Sequence, residues 1–363
     1  MLIFFSILAI LLIAVLFYMQ QPIFGKAPEG RRLERMKQSK NFRDGKFNNR
    51  SFTPNLTKGY SMAGVMYDFF FKKVPGKIPS VLVPSVKTDL HTLPSDSNLL
   101  VWFGHSSYYL QINGLKILVD PVFSGNASPI PGTTKAFAGT NEYGVQDVPE
   151  LDYLLISHDH YDHLDYATVT ALQPKVKKLI TGLGVGSHLE YWGYAPEHII
   201  ELDWEDSIRL SDGSILHALP ARHFSGRTFT RNNTLWLSFL LETNSSKIYL
   251  GGDSGYDTHF AEIGKRFGSI DLAILENGQY NKAWQAIHCL PEEVLIAARD
   301  LNAKKVLPVH SSKFSLALHS WDEPLIELHR LNETYQVNLL TPRIGELVNL
   351  NSEEHAFTHW WKQ

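Results

Sequence analysis

The segment LDYLLISHDHYDHLDY, residues 151–166, decides both the fold and the chemistry of this chain. Its first half, residues 151–157, is a short apolar run of the kind that forms a buried strand. Polar residues follow, and Asp165 stands where it can cap a helix that we predict over residues 166–172. The segment therefore predicts a buried strand that ends in a polar turn and leads directly into a helix.

The polar turn is rich in side chains that bind metal ions. Side chains two positions apart in an extended chain point the same way, so His158 and His160 can bind one ion. Asp162 and His163 follow where the chain turns toward the helix, and they can face a second ion near the first. A protein core gains nothing from so many groups that need solvation. The cluster therefore predicts a metal site, whereas an isolated histidine is more often a structural or surface residue.

Further candidate ligands come directly after later strands of the predicted fold. His223, Asp253 and His310 each follow the C-terminal end of such a strand, and Asp120 follows an earlier one. A carboxylate at Asp120 can either bind metal or orient a histidine ligand through a hydrogen bond. We expect these residues to converge on the polar turn.

The other predicted elements alternate between strands and helices. The turn sequence Asn113-Gly114 between two strand patterns indicates a hairpin, so antiparallel pairing is expected early in the domain. The later alternation is an α/β pattern with mixed strand directions. Predicted strands cover residues 99–103, 108–112, 116–119, 214–219, 234–242, 247–251, 272–275 and 305–308, and predicted helices cover residues 258–267 and 291–301.

Composition narrows the function classes. The chain has 363 residues, 44% of them hydrophobic, which is enough for one large domain or two ordinary ones. A formal net charge of -3 gives no basic field that would gather nucleic acid, so no nucleic-acid partner is expected. The only cysteine is Cys289, which excludes an intramolecular disulfide and a cysteine-rich zinc site. Any metal must therefore be bound by histidine and carboxylate.

The N-terminus predicts a membrane anchor. Residues 2–18 are apolar except for Ser6, and this length is at the short end of the roughly 17–25 residues that span a bilayer. A cleaved signal peptide is the rival, but the basic start and small-residue cleavage site are not evident. Basic residues follow the run and none precedes it, which favours a catalytic domain on the cytoplasmic face. The predicted domains are an anchor at 1–20, a linker and wrapping segment at 21–97, a catalytic domain at 98–350 and a C-terminal tail at 351–363.

The ligand order resembles that of the metallo-β-lactamase superfamily, and within it the N-acyl-phosphatidylethanolamine phospholipase D family with its bacterial relatives. The pattern is His-x-His-x-Asp-His, followed by a later His, Asp and His at strand ends. The likeness runs from about Leu99 to Leu347. The segments that carry it are residues 102–105, 120–124, 157–166, 201–204, 252–256 and 262–268. The resemblance implies an α/β fold with a four-layer αββα sandwich, which the predicted N-terminal transmembrane helix would precede.

The resemblance also implies roles for individual residues. One zinc ion would be bound by His158, His160 and His223, the other by Asp162, His163 and His310, and Asp253 would bridge the two. Iron and manganese accept similar ligands and are not excluded. Asp120 would orient a ligand, Asp162 or Asp253 would accept a proton, and His288 would contact the phosphate or the leaving group. A structural role for His288 at the approach to a helix is equally open.

The implied reaction is hydrolysis of an N-acyl-phosphatidylethanolamine-like lipid by metal-bound hydroxide, giving an N-acylethanolamine and phosphatidic acid. Aromatic side chains are candidates for the substrate groove, with core packing as the alternative for each. They are Tyr161, Tyr256, Tyr280, Trp284 and Phe314. Arg222, Phe224 and Ser311 depart from the pattern beside the predicted ligands, so the pocket wall is expected to differ.

Other functions remain as alternatives. A lactonase or sugar-phosphate hydrolase with a soluble substrate fits the same ligands. The sequence Gly252-Asp253-Ser254-Gly255 is similar to the nucleophile segment of trypsin-like proteases, but those domains depend on disulfides, and a triad leaves the histidine cluster unexplained. A zinc-dependent scaffold is disfavoured because none of the expected ligands is missing.

Overall fold

The computed structural model describes residues 1–362. Helices occupy α1 (Leu2–Tyr18), α2 (Gly30–Lys37), α3 (Met62–Phe71), α4 (Tyr166–Leu172), α5 (Gly186–Tyr191), α6 (His259–Phe267), α7 (Pro291–Asp300) and α8 (Glu323–Tyr335). A small antiparallel ribbon of β1 (Phe42–Arg43) and β2 (Lys46–Phe47) precedes the main sheets.

Two mixed sheets form the centre of the molecule. The first has seven strands in the order β15-β3-β4-β5-β6-β7-β8, and the second has six in the order β14-β13-β12-β11-β10-β9. The strands of the first sheet are β3 (Leu99–Trp102), β4 (Tyr108–Ile112), β5 (Leu115–Val119), β6 (Leu151–Ile156), β7 (Val176–Gly182), β8 (Ile199–Leu202) and β15 (Leu347–Asn349). Those of the second are β9 (Ser207–Arg209), β10 (Ile215–Leu219), β11 (Ser238–Glu242), β12 (Lys247–Leu250), β13 (Leu272–Glu276) and β14 (Val306–Val309).

The buried side chains divide into layers. One core joins the two sheets face to face, with Leu155 of β6 and Leu241 of β11 among its members. A second core packs α4 and α5 on the outer face of the first sheet, and a third packs α6, α7 and α8 on the outer face of the second. This mixed α/β arrangement is consistent with the sandwich that the resemblance implies.

The prediction of a membrane-spanning N-terminal helix is wrong. Helix α1 has 17 residues, and at about 1.5 Å per residue it covers about 26 Å, less than the roughly 30 Å of a bilayer core. It ends because Gln20, Gln21 and Pro22 follow, and proline disfavours helix in the residue before it. Among residues 1–362, no helix is both long enough and apolar enough to cross a membrane. The single-pass anchor, and the cytoplasmic placement that depended on it, are therefore not supported.

The segments outside the sheets are attached to the sandwich. Arg32 of α2 forms an ion pair with the buried Glu201 at 2.6 Å, and Met36 lies in the central core. At the other end of the chain, Trp361 is fully buried in the same core. Helix α3 differs, because all of its residues except the half-buried Val65 are exposed.

Candidate metal centre

The candidate centre is built from loops that follow the C-terminal ends of strands in both sheets. Strand β6 lies between β5 and β7 with parallel pairing, and the polar turn begins directly after its last residue, Ile156. The turn ends at Asp165, whose side chain accepts a hydrogen bond from the Ala167 amide and so starts α4. The loops after β10, β12 and β14 bring His223, Asp253 and His310 to the same place.

The first group of facing nitrogens belongs to His158, His160 and His223. The Nε2 of His158 lies 2.9 Å from His160 Nδ1, which lies 3.2 Å from His223 Nε2. Burial lowers the pKa of His158 well below its ordinary value, and the pKa of His160 is lowered to about 4, again chiefly by burial. These imidazoles are therefore neutral near pH 7, which leaves lone pairs available to a cation.

The second group contains Asp162, His163 and His310, together with His105. His163 Nε2 lies 3.6 Å from Asp162 Oδ2, and His310 Nδ1 lies 3.2 Å from Asp253 Oδ1. The ligand-type atoms of His105, Asp162, His163 and His310 all lie within 4.8 Å of one another. The ligand-type atoms of the three histidines beside it lie within the same 4.8 Å limit.

Asp253 lies between the two groups. Its Oδ2 is 3.2 Å from His163 Nε2 on one side, and 3.9 Å from His158 Nε2 and 3.7 Å from His223 Nε2 on the other. His163 Nε2 and Asp253 Oδ1 are also buried, and despite these close contacts neither makes a hydrogen bond of acceptable geometry among the described residues. Facing imidazoles, a central carboxylate and buried ligand atoms without hydrogen bonds fit divalent metal ions.

Neighbouring polar groups fix the ring orientations of these histidines. Asp120 Oδ2 lies 2.8 Å from His163 Nδ1, and the same carboxylate accepts hydrogen bonds from the amide and hydroxyl of Ser157. His223 Nδ1 lies 2.9 Å from the Ile287 carbonyl oxygen. Such outer contacts hold a ligating ring in one tautomer and position. The structure thus places Asp120 behind His163.

The backbone at the site adopts a conformation that non-glycine residues seldom use. The φ angles of His105, Asp120 and His310 are 52°, 41° and 66°, in the left-handed region. Such strain persists only where surrounding contacts hold it, and it concentrates at functional sites. These three residues are buried and hydrogen-bonded to neighbours of the cluster, which is consistent with a centre held in place by its surroundings.

Sequence reasoning missed three residues that contact the centre. His105 Nε2 lies 2.8 Å from Asp162 Oδ2, and Glu276 Oε2 lies 2.6 Å from His288 Nδ1. Sequence signals existed for two of them, since His105 lies in a segment that carries the resemblance and Glu276 directly follows the predicted strand at 272–275. Asn49, in contrast, lies in the wrapping segment before the sheets, where no motif marked it.

Asn49 holds the backbone of His223 through both ends of its side-chain amide. Its Nδ2 donates to the His223 carbonyl oxygen at 2.8 Å, and its Oδ1 accepts from the His223 amide at 3.1 Å. The indole Nε1 of Trp236 donates to the same Oδ1 at 3.2 Å. Residues 21–97 therefore contribute directly to positioning a candidate ligand.

A cavity of about 300 Å³ opens beside the cluster. Its lining includes His160, Asp162, Asp253, His288 and His310, with Trp284 and other apolar side chains. Of the five aromatic substrate candidates, Trp284 lines this cavity, whereas Tyr161 faces a neighbouring cavity. The remaining three are used in packing: Tyr256 donates to Asp300, Tyr280 donates to Glu323, and Phe314 is buried in a small apolar cluster.

The protease-like segment is arranged differently from a serine nucleophile. Ser254 is only 2% exposed, and its hydroxyl donates to the Gly255 carbonyl oxygen, accepts from the Arg222 amide and lies 3.2 Å from His259 Nε2. It is not among the residues that line the cavity beside the metal ligands. Ser254 therefore serves the loop conformation around Asp253.

Comparisons with known proteins agree with this geometry. Residues 116–311 match the family described as Beta-lactamase superfamily domain. An uncharacterized protein of Mycobacterium tuberculosis is 34% identical over 329 residues, covering 90% of this chain and 88% of the relative. The N-acyl-phosphatidylethanolamine-hydrolyzing phospholipase D 1 of Caenorhabditis elegans is 27% identical over 342 residues, covering 85% and 94%. The metallo hydrolase Igni18 of Ignicoccus hospitalis has the same fold, with a TM-score of 0.53 at 19% identity over 69% of this chain and 97% of its own.

Proposed function

Because this chain belongs to the β-lactamase superfamily and is a metal-dependent hydrolase, we propose that it is a binuclear zinc phosphodiesterase of the phospholipase D type. Its substrates would be N-acyl-phosphatidylethanolamine-like lipids. The products would be an N-acylethanolamine and phosphatidic acid. The C. elegans relative that is aligned over 85% of this chain carries this activity in its name.

The observation that carries the proposal is the position of Asp253 between two groups of candidate ligands. A carboxylate shared in this way is suited to two ions close together. When bound, the ions would activate a water molecule near neutral pH and neutralise charge that builds on the phosphoryl oxygens. We assign His158, His160 and His223 to one ion, Asp162, His163 and His310 to the other, and Asp253 to both.

Residues around the two ions would position the substrate and move protons. Asp162 and Asp253 line the cavity with carboxylates that can accept a proton from the attacking water. His288 lines the same cavity, and its contact with Glu276 fixes the orientation of the ring. In that orientation one ring nitrogen remains for the phosphate or the leaving oxygen. Glu276 is then a positioning residue, and His288 is the group that touches substrate.

The cavity rim supports a lipid substrate. Met62 and Val65, from the start of α3, line the cavity together with Leu56, Ile287 and Leu316. Farther along α3, Tyr67, Phe70 and Phe71 are each at least 65% exposed. A contiguous exposed apolar surface on a soluble domain commonly marks an interaction site. This rim could hold acyl chains while the phosphate reaches the metal ligands.

We expect the zinc-loaded protein to release N-acylethanolamine from vesicles that contain N-acyl-phosphatidylethanolamine, measured by mass spectrometry. A His158→Ala, His160→Ala double variant should lose activity by at least about a thousand-fold, because it lacks two of the three imidazoles assigned to one ion. A His91→Ala, His198→Ala double variant is the matched control, since both histidines are exposed and lie outside the cluster.

Two results would count against the lipid assignment. One is zinc-loaded protein that releases no N-acylethanolamine but hydrolyses a soluble lactone or sugar phosphate. The other is equal activity in the cluster variant and the wild type. The first result would select the soluble-substrate alternative, and the second would remove the histidine cluster from the reaction.

A further inference from the structure

Arg231 lies at the mouth of the cavity beside the candidate metal ligands. Its guanidinium carbon is 4.4 Å from the centre of the Phe224 ring, and that ring is 4.4 Å from the ring of His160. Arginine, phenylalanine and histidine therefore form a stack that leads from the rim to a candidate ligand. This stacking limits the conformations open to the arginine side chain.

The guanidinium N–H groups of Arg231 make few contacts within the protein. Its Nη1 is 3.5 Å from Asn55 Oδ1, a distance at the limit of a hydrogen bond. Within residues 1–362, no carboxylate oxygen lies within 4.0 Å of its guanidinium. Arg222 and Arg227 of the same loop differ, because each donates to at least two backbone carbonyl oxygens.

Arg231 is also the one cationic side chain among the described residues that line this cavity. The acidic side chains there are Asp162 and Asp253, which we assign to metal. Arg231 is an exposed residue, so an anion can reach its guanidinium from solvent. Its planar arrangement of five N–H donors matches the oxygens of a phosphate group.

We propose that Arg231 binds an anionic oxygen of the substrate's phosphate group and thereby selects anionic phosphodiesters over neutral esters. Phe224 is the platform that holds the guanidinium above the cavity. The inference rests on the proposed phosphodiesterase function and adds to it a specificity-determining residue. Arg231 lies in the loop between β10 and β11, near the departures at Arg222 and Phe224 noted in the sequence.

The test compares Arg231→Met, Arg231→Lys and wild type, with Arg209→Met as a control because Arg209 is an exposed arginine remote from the cavity. Calorimetry measures the binding of a soluble short-chain phosphatidic acid to the zinc-loaded proteins. Arg231→Met should bind it about ten-fold or more weakly, and Arg231→Lys should fall between the two because a lysine lacks the planar set of donors. Arg209→Met should bind as wild type does.

Kinetics gives a second readout on the same proteins. For N-acyl-phosphatidylethanolamine in vesicles, KM of Arg231→Met should rise about ten-fold, with kcat changing less than KM. KM for the neutral ester p-nitrophenyl butyrate should change less than KM for the lipid. Equal binding of phosphatidic acid by Arg231→Met and wild type would overturn the inference. So would a wild-type protein that does not bind phosphatidic acid, or an Arg231→Met variant in which KM rises equally for the lipid and the neutral ester.

Failure of this inference and failure of the proposed function give different results. Binding does not require turnover. If phosphatidic acid binds in an Arg231-dependent way but the lipid is not hydrolysed, the proposed substrate is wrong and the anion site at Arg231 stands. If wild type hydrolyses the lipid and Arg231→Met shows unchanged binding of phosphatidic acid and unchanged KM, the proposed function stands and Arg231 does not bind the phosphate. Zinc content measured on every variant must equal that of wild type, and a loss in Arg231→Met would assign Arg231 a structural role instead.

Discussion

Removal of the bound metal is expected to lower hydrolysis by at least about a thousand-fold, equivalent to about 4 kcal/mol in the activation barrier. Among the described residues, no serine, threonine, cysteine or lysine lines the cavity beside the cluster, so the protein offers no nucleophile of these types there. In the proposed mechanism, attack on the substrate depends on water that the metal activates. Dialysis against a chelator, followed by assay with and without added zinc, measures this loss and its recovery.

A serine-directed phosphonate is the matched reagent control. It should leave activity unchanged, because the Ser254 hydroxyl is buried and hydrogen-bonded to the Gly255 carbonyl oxygen and the Arg222 amide. Activity that survives complete metal removal, or that the phosphonate abolishes, would contradict a metal-dependent mechanism.

Asp253→Asn is expected to have the second large effect, a loss of about a thousand-fold or more in kcat. The substitution keeps the size of the side chain but removes the charge that lies within 4 Å of His158, His163 and His223. An amide cannot neutralise two cations, so zinc content should fall together with kcat. Both quantities are measured on the same preparation.

Asp44→Asn is the control for Asp253→Asn. Asp44 is exposed and has a φ of 54°, a left-handed conformation that asparagine tolerates well, so this change should alter neither zinc content nor kcat. If Asp253→Asn keeps its full zinc content and a kcat within about ten-fold of wild type, the assignment of Asp253 between two ions is wrong.

Local patterns recovered the strand-to-helix unit around the cluster. The apolar run at residues 151–157 forms β6 (Leu151–Ile156), and the predicted helix at 166–172 is α4, with Asp165 as its cap. These features depend on neighbours in sequence, such as the capping hydrogen bond that the Ala167 amide donates to the Asp165 carboxylate. The hydrophobic periodicity and the capping residue therefore predicted both the strand and the helix.

Contacts between distant residues could not be predicted in the same way. Asn49 and His223 are 174 positions apart, and no sequence rule joins an asparagine in an irregular segment to one loop among many. The contacts of His105 and Glu276 were unpredictable for the same reason, because they form where loops from different strands meet. The roles of these residues could be assigned only from the three-dimensional fold.

The apolar N-terminus led to one wrong prediction, and residue type alone left the roles of two tyrosines open. The run at Leu2–Tyr18 is apolar enough for a bilayer but falls short of the length needed to cross it. Tyr256 and Tyr280 had the right chemistry for a substrate groove, yet each donates its hydroxyl to a carboxylate elsewhere. Residue type alone states what a side chain can do, and the backbone decides where it points.

The number of zinc ions per chain tests the central claim most directly. Metal analysis of the saturated wild-type protein, combined with its native mass, should give two ions per chain, and a His160→Ala variant should retain fewer. A wild-type protein that saturates at one ion, or that binds none, would contradict a binuclear centre organised around Asp253.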